Sequence, residues 1–304
     1  MRTKAGLFLG AVVLLAAGAA GGFFAARSRW FQPRPELIGE QLPEPYHETF
    51  NPAERELNAD LYVQTAAEYH ALCLQTYRCA YECLLRRLAD PPKGDLPFAV
   101  ILDLDETVFD NTRYQAWCYR NGQTFGDDTW AAWEKESNAD EVTLIPGALE
   151  FIHKVDRLKP AVKVLFVSNR RDKAGTLAVL SRRGLDGNRD AEKRLYLRTN
   201  GRDKDGRRKE IEKAYRVLLL VGDNLGDLSS VFAPETKDKT DFDQQTAAIQ
   251  SRINKVIEHR DRFGYDWIIL PNPIYGDWTP LLGDDPSRHL RQTRFTPGAA
   301  RPEE

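Results

Sequence analysis

Cysteine is scarce, with four residues in a chain of 304, too few for a disulfide scaffold of this size. None of the four belongs to a C-x-x-C pair, which excludes a zinc ribbon and a thioredoxin-type motif. Cys73, Cys79, Cys83 and Cys118 read as ordinary core cysteines. Excess basic charge is missing too. The 43 Lys and Arg face 45 Asp and Glu, a net charge of −2, without the footprint of a protein that binds a nucleic-acid polymer. The five histidines, His47, His70, His153, His259 and His289, form no close pair at metal-ligand spacing, and none has the Arg-His-Gly context of a phosphohistidine mechanism. No internal repeat is visible. What is present, 42% hydrophobic residues with 6 Trp, 11 Tyr and 14 Phe, supplies a sizeable core and excludes wholesale disorder.

Long apolar runs are limited to one. Arg2 and Lys4 precede an uncharged stretch over residues 5–26, and Arg27 and Arg29 follow it. A run of about 20 apolar residues crosses a bilayer as a helix. The same order of basic then apolar residues fits a secretory signal, with Ala17-Gly18-Ala19 as a small-residue cleavage site. The length favours an uncleaved anchor over residues 1–29, with cleavage the runner-up. Either way the body is expected outside the cytoplasm, in the periplasm or at the cell surface, with the membrane as a partner of the N-terminal segment. Residues 30–50, with Pro33, Pro35, Pro43 and Pro45, read as an extended stalk. Residues 284–304 read as a polar, mobile tail.

The body, residues 51–283, alternates helix and strand. Residues 51–88 carry a broad apolar face (Leu57, Leu61, Ala67, Leu72, Tyr77, Leu84) that Asp90-Pro91-Pro92 ends, which predicts a helix. Residues 98–103 begin with a continuous apolar run, the pattern of a strand buried on both faces. Similar runs lie at 162–167, 195–197, 217–221 and 267–270, with helical stretches such as 148–158, 173–183 and 207–215 between them. This order predicts an α/β fold, a Rossmann-like parallel sheet with helices on both faces. Residues 106–145 are too long for a plain crossover and rich in aromatics, and are expected to form a lid over the sheet's carboxyl edge, where open α/β folds bind ligands.

Four strand ends carry polar residues. They are Asp103-Leu-Asp105-Glu-Thr107, Ser168-Asn169-Arg170, Lys204 in a charged loop, and Gly222-Asp-Asn-Leu-Gly-Asp227. Each alone has an ordinary explanation: a turn, an N-cap or a solvated charge run. Parallel strands bring all four to one edge, and their types suit one reaction. Carboxylate attack on a phosphate monoester needs a cation to offset repulsion, and the hard oxygens of Asp103 and Asp223 suit Mg²⁺. A hydroxyl from Ser168 and an ammonium from Lys204 suit the remaining phosphoryl oxygens. A second carboxyl two residues after the nucleophile suits proton transfer to the leaving alkoxide and then from water.

The set Asp103-x-Asp105-x-Thr107, Ser168, Lys204 and Asp223 with Asp227 resembles the four motifs of the haloacid dehalogenase (HAD) superfamily. The segments Tyr62-Val-Gln-Thr-Ala-Ala-Glu-Tyr69, Val167-Ser-Asn-Arg170 and Leu270-Pro-Asn-Pro-Ile-Tyr-Gly276 resemble its class C bacterial acid phosphatases, the lipoprotein acid phosphatase and 5′-nucleotidase type. The resemblance implies a HAD-like fold and an aspartyl-phosphate mechanism. Asp103 would be nucleophile and metal ligand, and Asp105 acid/base with its main-chain carbonyl on the metal. Asp223 would be the second carboxylate ligand, and Asp227 would orient metal-bound water. Ser168 and Lys204 would bind phosphate. Trp130 and Tyr275 match aromatics that sandwich a nucleobase, with lid or core packing as their other reading. The implied substrate is a nucleoside 5′-monophosphate and the implied cofactor Mg²⁺. The chain departs from the pattern in having no cysteine before Cys73 for lipid attachment, in Leu228 where Phe is expected, and in a polar stretch at 233–245 that reads as an insertion. A phosphatase for another small monoester, such as a sugar phosphate, and a non-catalytic surface protein on the same fold stay open. So does a homodimer.

Overall fold

Residues 54–186, 190–235 and 240–290 are described in the computed structural model of the chain. The N-terminal apolar run, the stalk and most of the polar tail lie outside them. Among the described residues no helix is long and apolar enough to cross a membrane.

In chain order the elements are α1 (Glu54–Thr65), α2 (Ala67–Ala89), β1 (Phe98–Leu102), β2 (Phe109–Asp110), α3 (Thr112–Arg120), α4 (Asp127–Trp133), β3 (Thr143–Leu144), α5 (Ala148–Asp156), β4 (Val162–Ser168), α6 (Lys173–Arg182), α7 (Ala191–Arg194), β5 (Leu195–Leu197), α8 (Asp205–Glu212), β6 (Arg216–Gly222), α9 (Leu225–Leu228), α10 (Phe242–Glu258) and β7 (Trp267–Ile269). Five strands form one sheet in the order β5-β4-β1-β6-β7, and every pairing in it is parallel.

The central strand explains the layering. Successive side chains of a strand point to opposite faces, and β1 is apolar at every position because both faces are covered. Val100 and Leu102 enter a core with Tyr77 and Leu84 of α2, Phe151 and Ile152 of α5, and Val179 and Leu180 of α6. Ala99 and Ile101 enter a second core with Leu165 and Val167 of β4 and Ile211 of α8. Parallel strands run their carboxyl ends to the same edge, which collects the polar termini.

Three local expectations are refined. The helix expected over 51–88 is two, because the main chain at Ala66 is extended (φ −80°, ψ 123°). The break lets α1 pack on α3 while α2 packs across β6, β7 and α5, and an apolar face that continues through the break conceals it. The supposed insertion at 233–245 runs into a 17-residue helix, α10. Asp241 caps it by accepting from the N–H groups of Asp243 and Gln244, and its buried Arg252 donates to the carbonyl of Phe232. Its polar composition hid it. Within 106–145, β2 and β3 pair as a short antiparallel ribbon, flanked by α3 and α4.

Candidate active site

Asp103 directly follows β1, and its main-chain N–H still donates to Val221 O at 2.9 Å. Its backbone is therefore held by the sheet, at the edge where Gly222 delivers Asp223 from β6. A Cβ at Gly222 would strike the side chain of Asp227, so only glycine there lets Asp227 fold back over the strand end. Asp227 then accepts from the N–H of Asn224 at 2.9 Å in a capping box. Carboxylate oxygens of Asp103, Asp223 and Asp227 lie within 4.8 Å of one another. Lys204, just before α8, places Nζ 2.6 Å from oxygens of both Asp103 and Asp227. Asp223 is fixed by Thr107 Oγ1 and Asn272 Nδ2, each donating at 2.9 Å. Tyr77 of α2 in turn donates to the carbonyl of Thr107 at 2.5 Å.

Carboxylates this close raise each other's pKa. Burial pushes Asp103 well above the usual range against the pull of Lys204, and Asp227 and Asp223 add to the rise. Burial and Asp227 push Asp223 up to about 7. Burial alone would lower Lys204, but Asp103 and Asp227 outweigh it and hold its pKa raised.

The site fits a divalent cation. Four carboxylates, Asp105 included, face two cations, Lys204 and Arg170. Oδ1 of Asp103 meets Lys204 Nζ as its one ion-pair partner among the described residues. Asp103, Asp223 and Asp227 would hold the metal, and an all-oxygen donor set suits a hard cation.

A pH dependence follows. With its folded pKa raised from 3.8 to about 7, Asp223 carries a proton in the folded state that the unfolded chain has lost. Stability should therefore fall as pH rises through that window. Tm of the chelated protein should drop across it by more than that of Asp223→Asn, and a divalent cation should reduce the drop by competing with the proton. Identical profiles for the two proteins would contradict the assignment.

Asp103, Asp105, Lys204, Asp223 and Asp227 line one cleft of about 650 Å³ together with Trp130 and Tyr275. The model of the HAD superfamily, subfamily IIIB (acid phosphatase), matches residues 46–278. The chain belongs to this family. It is a phosphomonoester hydrolase with the α/β fold of that family. Among solved structures it is similar to the class C acid phosphatase from Bacillus anthracis, at 28% identity and a TM-score of 0.64, covering 77% of this chain and 90% of that one. A structure described as class C acid phosphatase from Bacillus anthracis with tungstate bound matches at 26% identity and a TM-score of 0.66, covering 81% and 100%.

In this acid phosphatase Asp105 stands apart from the carboxylate trio. Its Oδ1 accepts from Arg170 Nε at 2.7 Å and Asn111 Nδ2 at 3.0 Å. Oδ2 has only a long approach from Ser168 Oγ at 3.4 Å. Ser168 is fully buried. Its Oγ also accepts from the N–H of Arg170 at 3.2 Å, and Asn169 and Arg171 are the residues after this strand end that line the cleft.

Arg170, Asn111 and Glu106 received no role from the sequence. Arg170 is wholly buried. Its Nη2 donates to Asn111 Oδ1 at 2.9 Å, and its guanidinium lies 5.0 Å from the ring centroid of Phe109 and 5.7 Å from that of Trp130. A buried arginine demands acidic partners, but nothing in the chain order identifies Asp105 as that partner. Glu106 is buried with a left-handed main chain (φ 54°). Its Oε1 accepts from the N–H and Nδ2 of Asn111, and burial, then Asp105 and Asp223, raise its pKa. Its place inside Asp103-Leu-Asp-Glu-Thr107 was the available signal.

Proposed function

We propose that this acid phosphatase is a Mg²⁺-dependent enzyme that acts outside the cytoplasm on nucleoside 5′-monophosphates through an aspartyl-phosphate on Asp103. The observation that carries the reading is the gathering of Asp103, Asp223 and Asp227 around Lys204 in the cleft that Trp130 and Tyr275 also line. Mg²⁺, held by those carboxylates, would neutralise charge on the phosphoryl group. In the first half-reaction an oxygen of Asp103 bonds to phosphorus, the ester P–O bond breaks, and Asp105 gives its proton to the leaving alkoxide. In the second, Asp105 takes a proton from water as the water oxygen bonds to phosphorus. The bond to Asp103 then breaks and inorganic phosphate leaves. Lys204 stabilises the charge developing on the phosphoryl oxygens.

Tungstate is a tetrahedral oxyanion of phosphate's shape, and its binding to one similar structure supports an oxyanion site here. The export reading rests on the uncharged run at residues 5–26 behind Arg2 and Lys4. The nucleotide reading rests on the aromatics. Trp130 is half-buried and donates to Glu134 Oε1 at 2.8 Å, with Tyr114 edge-on at 5.1 Å between centroids. A base stacked on it would gain about 1 to 3 kcal/mol.

The test is kcat/KM for a 5′-nucleotide and for glycerol phosphate in wild type and Trp130→Ala, each with Mg²⁺, with chelator, and with Mg²⁺ restored. Chelation should abolish turnover of both esters and Mg²⁺ should restore it. Trp130→Ala should lose far more on the nucleotide. Equal fractional losses would reject the nucleotide reading and favour another small monoester. Full activity after exhaustive chelation would reject the metal.

A further inference from the structure

The cleft has a second charged wall that the reaction on the first phosphate leaves unused. Arg171 follows the end of β4, Arg198 directly follows β5, and Arg202 lies in the loop from β5 to Lys204. All three line the cleft that holds Asp103 and Asp223. Because β4 and β5 pair in parallel with Ser168 beside Leu197, Arg171 and Arg198 rise from adjacent strand ends. The N–H of Arg198 donates to Arg170 O at 3.1 Å and ties those ends together.

The guanidinium groups are only weakly matched by anions, and Arg198 Nε donates to the neutral carbonyl of Asn200 at 3.1 Å. Neither Arg171 nor Arg198 forms an ion pair among the described residues. Arg202 reaches Asp127 at only 3.9 Å, with the two side chains 67% and 69% exposed, a weak surface contact. Glu134 lies nearby, but its carboxylate already accepts from the Trp130 indole and from the main-chain N–H groups of Arg171 and Asp172. After desolvation, the charges of Arg171 and Arg202 lower the pKa of Arg198, against an opposing pull from Asp127 and Glu134. Like charges gathered in a ligand cleft with only weak or already engaged carboxylates beside them favour an anion from outside.

We propose that this wall binds a second phosphate on the substrate, so that small phosphomonoesters carrying another phosphate at the far end of the molecule are the preferred class. The proposal rests on the phosphatase reading of the same site. β5 lies two strands from β1 in the sheet, about 10 Å at the usual strand spacing. The second phosphate is therefore remote from the reacting phosphorus and not on the neighbouring atom. Arginine suits the task because its planar fork meets two phosphate oxygens at once.

The experiment measures kcat/KM for a nucleoside 3′,5′-bisphosphate against the 5′-monophosphate, and for a hexose 1,6-bisphosphate against the 6-phosphate. It uses wild type, Arg198→Ala, Arg198→Lys and the Arg171→Ala/Arg198→Ala double variant. In wild type the bisphosphate of at least one pair is expected to be preferred by about tenfold to a hundredfold, less so at high salt. The ratio should fall toward one in the double variant and lie between in Arg198→Lys. A preference of about twofold or less in both pairs, no more than two cleavable phosphates give, overturns the inference and leaves the phosphatase reading standing. A larger preference that survives the double variant overturns the assignment to this wall. No turnover of any monoester overturns the phosphatase reading itself.

Discussion

Asp103→Asn is expected to lose nearly all turnover and to stay folded. Asn keeps the shape at the end of β1 and the main-chain bond to Val221, but its amide is a poor nucleophile toward phosphorus, and loss of a nucleophile costs orders of magnitude. The substitution also removes a charge that burial, Asp227 and Asp223 oppose and Lys204 favours, while Lys204 keeps Asp227 as its partner. Tm without metal should accordingly be unchanged or higher near neutral pH, the trade-off expected where a site holds strained electrostatics for its chemistry. Steady-state kinetics and thermal melts on the same preparation check both parts. Retention of more than about 10% of kcat would refute the nucleophile assignment.

Lys204→Met should be costly in a different way. The ammonium is buried between Asp103 and Asp227, 2.6 Å from each, and breaking a buried pair by removing one partner leaves uncompensated charge, typically about 3 to 5 kcal/mol. That cost exists only while the carboxylates are ionised. The fall in Tm should therefore be largest above neutral pH, and it should shrink as acid protonates Asp103 and Asp223 or as a divalent cation replaces the missing charge. Turnover should stay low even where stability returns, because Met cannot stabilise charge on the phosphoryl oxygens. Melts across pH, with and without Mg²⁺, decide the matter. A Tm loss independent of both would mean that Lys204 contributes packing alone.

Much of this architecture was legible because its cause is local. The unbroken apolar run of β1 states that both faces of the strand are covered, and Asp103 at its end states where polarity resumes. The same is true of the parallel sheet, since alternating helices and strands at this spacing leave few other ways to bury both faces. Local pattern fails where a residue's meaning depends on a distant neighbour. The break at Ala66 accompanies α1 packing on α3, and α10 is a helix whose polar residues conceal its buried side.

The site divides along the same line. Residue type and position at strand ends offered Asp103, Asp105, Asp223, Ser168 and Lys204 as candidates, because parallel strands share an edge, and the family resemblance gave Asp227 its role. The fold alone decided their partners. Asp105 meets Arg170 from the end of β4, Ser168 is buried against Asp105, Asn272 reaches Asp223, and Arg171, Arg198 and Arg202 line one cleft. Those pairings depend on strand order, and strand order is set by which apolar faces pack together across the whole sheet.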